Sequence, residues 1–153
     1  MELKLKHMKK ALIALFSCMF LLCGCSYEKY EVGTDMVVSY YTIGADQWNK
    51  EQTGVGYQYY HTIRNKDITK SVIDDGAVLA YFIDPEFGTD HLLQYSFPVG
   101  ITGTSKMITQ NIRFEVKRGE ITFVLEWSDG GEYDINEDYE FKVCVMSPAE
   151  IVR

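Results

Sequence analysis

Carboxylates are the most abundant groups in this sequence with chemistry to offer. Asp84, Glu86 and Asp90 crowd the stretch DPEFGTD, and Asp129, Glu132, Asp134, Glu137 and Asp138 crowd SDGGEYDINED. Hard oxygen ligands grouped on a loop suit Ca2+. Asp84, Glu86, Asp90, Asp129, Asp134 and Asp138 are therefore the calcium candidates. Their spacing is not that of a D-x-D-x-D-G loop closed by a Glu at its twelfth position. The plainer reading is a pair of solvated loops on an acidic chain, with no cofactor. Two carboxylates also serve glycoside hydrolysis when a groove holds them roughly 5–10 Å apart, and a chain this short has little wall to build that groove.

Other reactive groups are sparse. There is no G-x-S-x-G stretch to present a serine nucleophile. His61 and His91 are the only histidines beyond residue 25, and neither has a Ser or Cys partner nearby in sequence. Zinc needs a third ligand, and no cluster supplies one. Cys144 sits inside FKVCVM, a strand pattern, where a thiol is a small packing group rather than a thiolate. The sequence thus carries no catalytic signature, and the expectation is a protein that is not an enzyme. Aromatic residues are the other lead. All 11 tyrosines follow residue 25. Trp48, Tyr59, Tyr81 and Trp127 are the candidates for stacking on a sugar ring or contacting a protein, if their strands turn them outward. Strands favour aromatics in any case, without a ligand.

The elements that must position these groups are strands. Apolar residues alternate in MVVSYYTI (36–43), VGYQYYHTI (55–63), MITQNIRFEV (107–116), EITFVLEW (120–127) and DYEFKVCVM (138–146). In 107–116 the inward set is Ile108, Ile112, Phe114 and Val116, with Gln110 the one polar exception. GAVLAYFID (76–84) is apolar on both faces and reads as a central strand. HLLQYSFPV (91–99) reads as one more, and a short one is expected around Trp48. Gly119 in KRGE can take positive φ and predicts a tight hairpin. DITKSVID predicts a turn or two of helix, capped by Asp67 and crossing between sheets. Short, one-faced strands need a second apolar face to cover them. The expected fold is all-β: a single sandwich of about seven or eight mainly antiparallel strands over residues 35–153, with an immunoglobulin-like topology as one option.

The first 24 residues have a different character. Lys9 and Lys10 precede an apolar run from Ala11 to Cys23 broken only by Ser17. A membrane span needs roughly 20 apolar residues, so the run predicts a signal peptide. It closes in LCGC, Leu22 to Cys25, which resembles the lipobox of bacterial lipoproteins. That resemblance implies cleavage before Cys25, acyl chains on Cys25, and a short tether over 25–34. Several chains on one residue hold far better than one. Ser26, where such families use Asp for inner-membrane retention, favours the outer membrane, on its periplasmic or its surface side.

Removing the leader leaves 11 Lys and Arg against 21 Asp and Glu, a formal charge of −10. Such a domain repels nucleic acid and anionic lipid. The membrane is then a partner only through the lipid anchor. With Cys25 alkylated, Cys144 is the last thiol and no internal disulfide is possible.

The order of segments resembles a family of uncharacterised small lipoproteins of Bacteroidota. The resemblance rests on Trp48 after the first strand, on YYHTIRNKDITKSVIDDGAVLAYF (59–82), on LLQYSFP (92–98) and on YEFKVCVM (139–146). It implies a β-sandwich and no assigned activity. Relatives often carry a Gly/Pro-rich stretch before the domain, and this chain has none. The functional expectation is a non-catalytic envelope module that binds or assists a protein or a glycan. A purely structural lipoprotein stands second, and a small carboxylate hydrolase third.

Overall fold

The computed structural model describes the backbone of residues 27–32, 36–101 and 103–148. The segment expected to be a signal peptide, Cys25 and the end of the chain lie outside them. Among the described residues ten strands form two five-stranded sheets. The first sheet contains β1 (Tyr27–Val32), β2 (Met36–Ile43), β10 (Tyr139–Met146), β5 (Ala77–Asp84) and β6 (Thr89–Leu92), in that order. The second contains β3 (Asn49–Thr53), β4 (Gly56–Arg64), β9 (Glu120–Trp127), β8 (Met107–Lys117) and β7 (Tyr95–Gly100). Every pairing is antiparallel. Among the described residues no helix is long and apolar enough to cross a membrane.

The period of two explains which side chains meet. Tyr139, Phe141, Val143 and Val145 of β10 all turn inward, as do Ile121, Phe123, Leu125 and Trp127 of β9. The two central strands meet where Phe123 stacks on Phe141, ring centroids 3.9 Å apart and both side chains fully buried. Tyr41, Ile43, Ala80 and Phe82 complete the first sheet's inner face, and Tyr59, Ile108 and Ile112 the second's. Cys144 points to the other face of β10 and is a buried, free thiol. Loss of hydration pushes its pKa up, which keeps it protonated and inert.

Several boundaries differ from the sequence reading. Residues 91–99 are two strands, not one: β6 belongs to the first sheet and β7 to the second. Alternation runs straight through this corner because both halves face the same core. His91 stacks on Tyr95 at 4.1 Å, and Tyr95 on Phe97 at 5.4 Å. The segment expected as a tether holds β1, which pairs with β2 from Tyr27↔Tyr41 to Val32↔Met36. Trp48 precedes a strand rather than lying in one, and Val55 sits in a turn, 91% exposed, instead of joining the inward face of β4. The crossing helix α1 (Lys70–Asp75) is present between β4 and β5, but Thr69 caps it, its hydroxyl accepting from the Val72 N–H at 3.3 Å. The Asp67 N–H is instead held by the Asn65 side chain at 2.9 Å.

The β8–β9 hairpin turns at Gly119 with φ +78°, as the KRGE stretch predicts. With α1 it forms one end of the sandwich. The opposite end gathers the β2–β3 turn, the β3–β4 turn, the β5–β6 turn, the β7–β8 loop and the long β9–β10 loop, residues 128–138. This second end is called the loop end.

Candidate cleft at the loop end

β9 leaves the core at Trp127 and β10 re-enters it at Tyr139. Between them the chain arches over the gap between the sheets, and an open cleft of about 520 Å³ lies beneath. One wall is Val99–Ile101 and Ile108, the other the loop residues Tyr133–Glu137. Gln110, the polar exception of β8, lies at its base, 3% exposed, its amide donating to the Tyr139 hydroxyl at 2.8 Å. Burial pushes the Tyr139 phenol up to about 12; Glu137 adds to the rise and the Gln110 bond opposes it. The phenol therefore stays neutral and keeps its proton.

The loop is fastened rather than merely solvated. Asp129 accepts from the Lys106 ammonium and the Tyr133 hydroxyl, each at 2.8 Å, and from the Gly131 N–H at 3.0 Å. Lys106 first, then Tyr133 and Gly131, hold the Asp129 carboxyl down at about 2. The same bonds place the Tyr133 ring against Trp127, centroids 5.3 Å apart. Glu132 pairs with Lys50 of β3, and Asp138 accepts from the Ala45 N–H at 3.1 Å. A depressed carboxyl favours the folded form only while it is ionised. Its contribution is full above the ordinary value of 3.8 and disappears as pH falls toward 2. The expected result is loosening of residues 128–138 in that window. Asp129→Asn should remove the acid-dependent part, as read by hydrogen exchange of the loop amides. An unchanged acid profile in that variant would place the fastening elsewhere.

The candidate residues scatter. Trp127 and Tyr59 are 8% and 7% exposed and meet edge to face at 5.3 Å. They are core rings, and the expectation of an outward stacking surface does not hold for either, since alternation turns both inward. Trp48 is half-buried and packs edgewise on Tyr139 at 5.6 Å. Its buried indole N–H has no hydrogen-bond partner among the described residues. It lines a second hollow of about 380 Å³ with Lys50 and Tyr59, on the other side of the Tyr133–Asn136 loop. Tyr81 is remote, on the outer face of the first sheet, with the Lys142 ammonium 4.4 Å from its ring centre.

Nor are the calcium candidates brought together. Asp84 caps its own turn, accepting from the N–H groups of Glu86 and Phe87 at 2.9 and 3.2 Å. Asp90 pairs with Lys142, and Asp129 with Lys106. Among the described residues no three His, Cys, Asp or Glu side chains converge on a point that could hold a metal. His61 bonds the Gln47 carbonyl through Nδ1 at 2.8 Å, and His91 bonds Thr89 at 3.0 Å.

What the loop end does assemble is a concave, mixed surface. The cleft lining has two amides, Gln110 and Asn136, two carboxylates, Asp134 and Glu137, two phenols, Tyr133 and Tyr139, and one indole, Trp127. Among the described residues that line it there is no Ser, Cys, His or Lys. Planar polar groups beside an aromatic ring suit hydroxyl-rich ligands. Sequence reading flagged Trp127 as a candidate ring, Gln110 as the polar exception of β8, and Asp134 and Glu137 as loop carboxylates. It did not join them with Tyr133 and Asn136 into one wall, because nothing local in the sequence links those positions.

No family model, no curated protein and no solved structure matches this chain.

Proposed function

We propose that this chain is a lipid-anchored, non-catalytic module of the cell envelope, held in the outer membrane through Cys25, that binds a saccharide in the loop-end cleft. The carrying observation is the cleft itself, about 520 Å³ and lined by amides, carboxylates and aromatic rings. That volume falls within the roughly 300–1,000 Å³ of small-ligand sites. Tyr133 offers a ring face for the apolar side of a sugar, while Asn136, Asp134 and Glu137 reach its hydroxyls. Binding is favoured over hydrolysis by the placement of the carboxylates. Glycosidases flank the scissile bond with their two acids, whereas Asp134 and Glu137 belong to the same wall. The anchoring part of the reading rests on the LCGC motif after its apolar run. An immunoglobulin-like topology also belongs to this proposal, supported by two antiparallel sheets joined by crossovers.

The test is a saccharide array probed with the soluble chain from Ser26 onward, followed by calorimetry on the best binder. Tyr133→Ala and Asn136→Ala should each weaken binding roughly tenfold, the loss of one stacked ring or one good hydrogen bond. Tyr81→Ala, on the outer face, should leave it unchanged. Binding that ignores the cleft variants, or an array with no binder, overturns the reading.

A further inference from the structure

The three most exposed large apolar side chains described are Val55, Phe87 and Met107, at 91%, 71% and 61%. All three lie at the loop end. Val55 tips the β3–β4 turn, Phe87 the β5–β6 turn, and Met107 begins β8 after the β7–β8 loop. Strand order puts Val55 and Met107 toward opposite edges of the second sheet and Phe87 toward one edge of the first. None of the three packs into the core. Each is a single apolar tip and not part of a contiguous patch, but three tips on separate turns of one end can each enter a lipid interface.

The register of β1 says which partner. β1 runs antiparallel to β2, with Tyr27 opposite Tyr41 and Val32 opposite Met36. β2 runs toward the loop end, so the chain before Tyr27 leaves the sheet at that same end. Cys25 is two residues from Tyr27, a reach of at most about 7 Å. Acyl chains on Cys25 thus hold the bilayer against the turns that carry Val55, Phe87 and Met107. The charge of this end narrows the lipid further. Asp46, Glu86, Asp134, Glu137 and Asp138 are exposed there, with Lys50 and Lys106 as the nearby cations already paired to Glu132 and Asp129. An anionic surface is repelled and a net-neutral one is not.

We infer that the loop end rests on a net-neutral lipid bilayer, with Val55, Phe87 and Met107 entering its interface. This rests on the reading of Cys25 as the anchored residue. The cleft beside these turns then faces the headgroup layer, so its saccharide is one carried at the membrane.

The experiment uses the chain Cys25–Arg153 with the Cys25 thiol coupled to a maleimide phospholipid in phosphatidylcholine vesicles. Hydrogen exchange is compared with the same chain coupled to a soluble maleimide. The expected result is added protection at residues 54–56, 86–88 and 103–107, and none at the Gly119 hairpin. The triple variant V55D/F87D/M107D, shown folded by circular dichroism, should lose that protection, and phosphatidylglycerol vesicles should reduce it. No added protection, or protection centred on Tyr40 and Leu92 of the outer sheet face, overturns the inference. The anchor reading has its own readout, the mass of the Cys25 peptide from cells expressing the 153-residue chain. An unmodified Cys25 would end that reading whatever the vesicles show.

Discussion

Phe141→Ala lowers the stability of the domain by about 3–5 kcal/mol, the range for deleting a fully buried aromatic ring. The loss has two parts. The apolar surface of the ring no longer leaves water on folding, and the space it filled cannot close. Closure is hindered because Phe141 lies on the central strand β10, hydrogen-bonded on both sides to β2 and β5. The ring it covers, Phe123, sits on the central strand β9 and is equally confined by β4 and β8. Neither backbone can move inward without disturbing two ladders. Trp48 and Tyr139, which also touch Phe141 edgewise or stacked, lose contacts too. Urea unfolding should show a lower midpoint at unchanged slope, and Tm should fall by roughly 10–20 °C. Phe123→Ala should cost about as much, and the double variant less than the sum, because the two rings share one contact. Arg118→Ala, on the exposed β8–β9 turn, should fall within about 0.5 kcal/mol of the parent. A Phe141→Ala loss below about 1 kcal/mol would show that the sheets are held apart from this stack.

Gly56→Ala is the second large effect, about 2–4 kcal/mol, from strain and collision together. Gly56 has φ +140°, and an added Cβ would stand 2.3 Å from Gly130 Cα. Gly130 has φ +66°, and its own Cβ would meet the Val55 carbonyl at 2.5 Å. The two backbones touch because the Tyr57 N–H donates to the Gly130 carbonyl at 3.1 Å. The β3–β4 turn is thereby fixed to the loop that walls the cleft. Two other glycines separate the causes. Gly119 has φ +78° but open space, so Gly119→Ala should cost only the backbone strain, about 1 kcal/mol. Gly54 has open space and no positive φ, so Gly54→Ala should be neutral or stabilising by a few tenths. Thermal unfolding of the three variants gives the order, and Gly56→Ala no worse than Gly119→Ala would mean the close approach contributes nothing.

How far the sequence reveals this molecule depends on whether a signal is local. The inward sets of β9 and β10 were legible in full because burial on one face imposes alternation on the residues themselves. The same alternation had already turned Tyr59 and Trp127 inward, so their place in the core follows from it and not from any ligand. β3 was illegible. Its sequence NKEQT is exposed along nearly its whole length, and an edge strand with no buried face has no pattern to show. β1 reads as a tether for the same reason, being paired on one side only. The corner between β6 and β7 was hidden because a change of sheet does not interrupt alternation. The cleft wall was hidden by distance. Tyr133 is positioned through Asp129 by Lys106, 23 residues upstream of that aspartate and on another loop, and no local pattern links those positions.

The pairing of β1 also decides how the domain answers a mechanical load. Its rungs lie across the strand axis, as in any antiparallel pair. A tug on the amino-terminal side along that axis shears all the rungs from Tyr27↔Tyr41 to Val32↔Met36 at once. Lifting the same end away from the sheet edge breaks them singly, in sequence, like a zipper. The domain is therefore stiff to traction in one direction and yielding in the other, and peeling the strand off would free it from the sheet without unfolding the core.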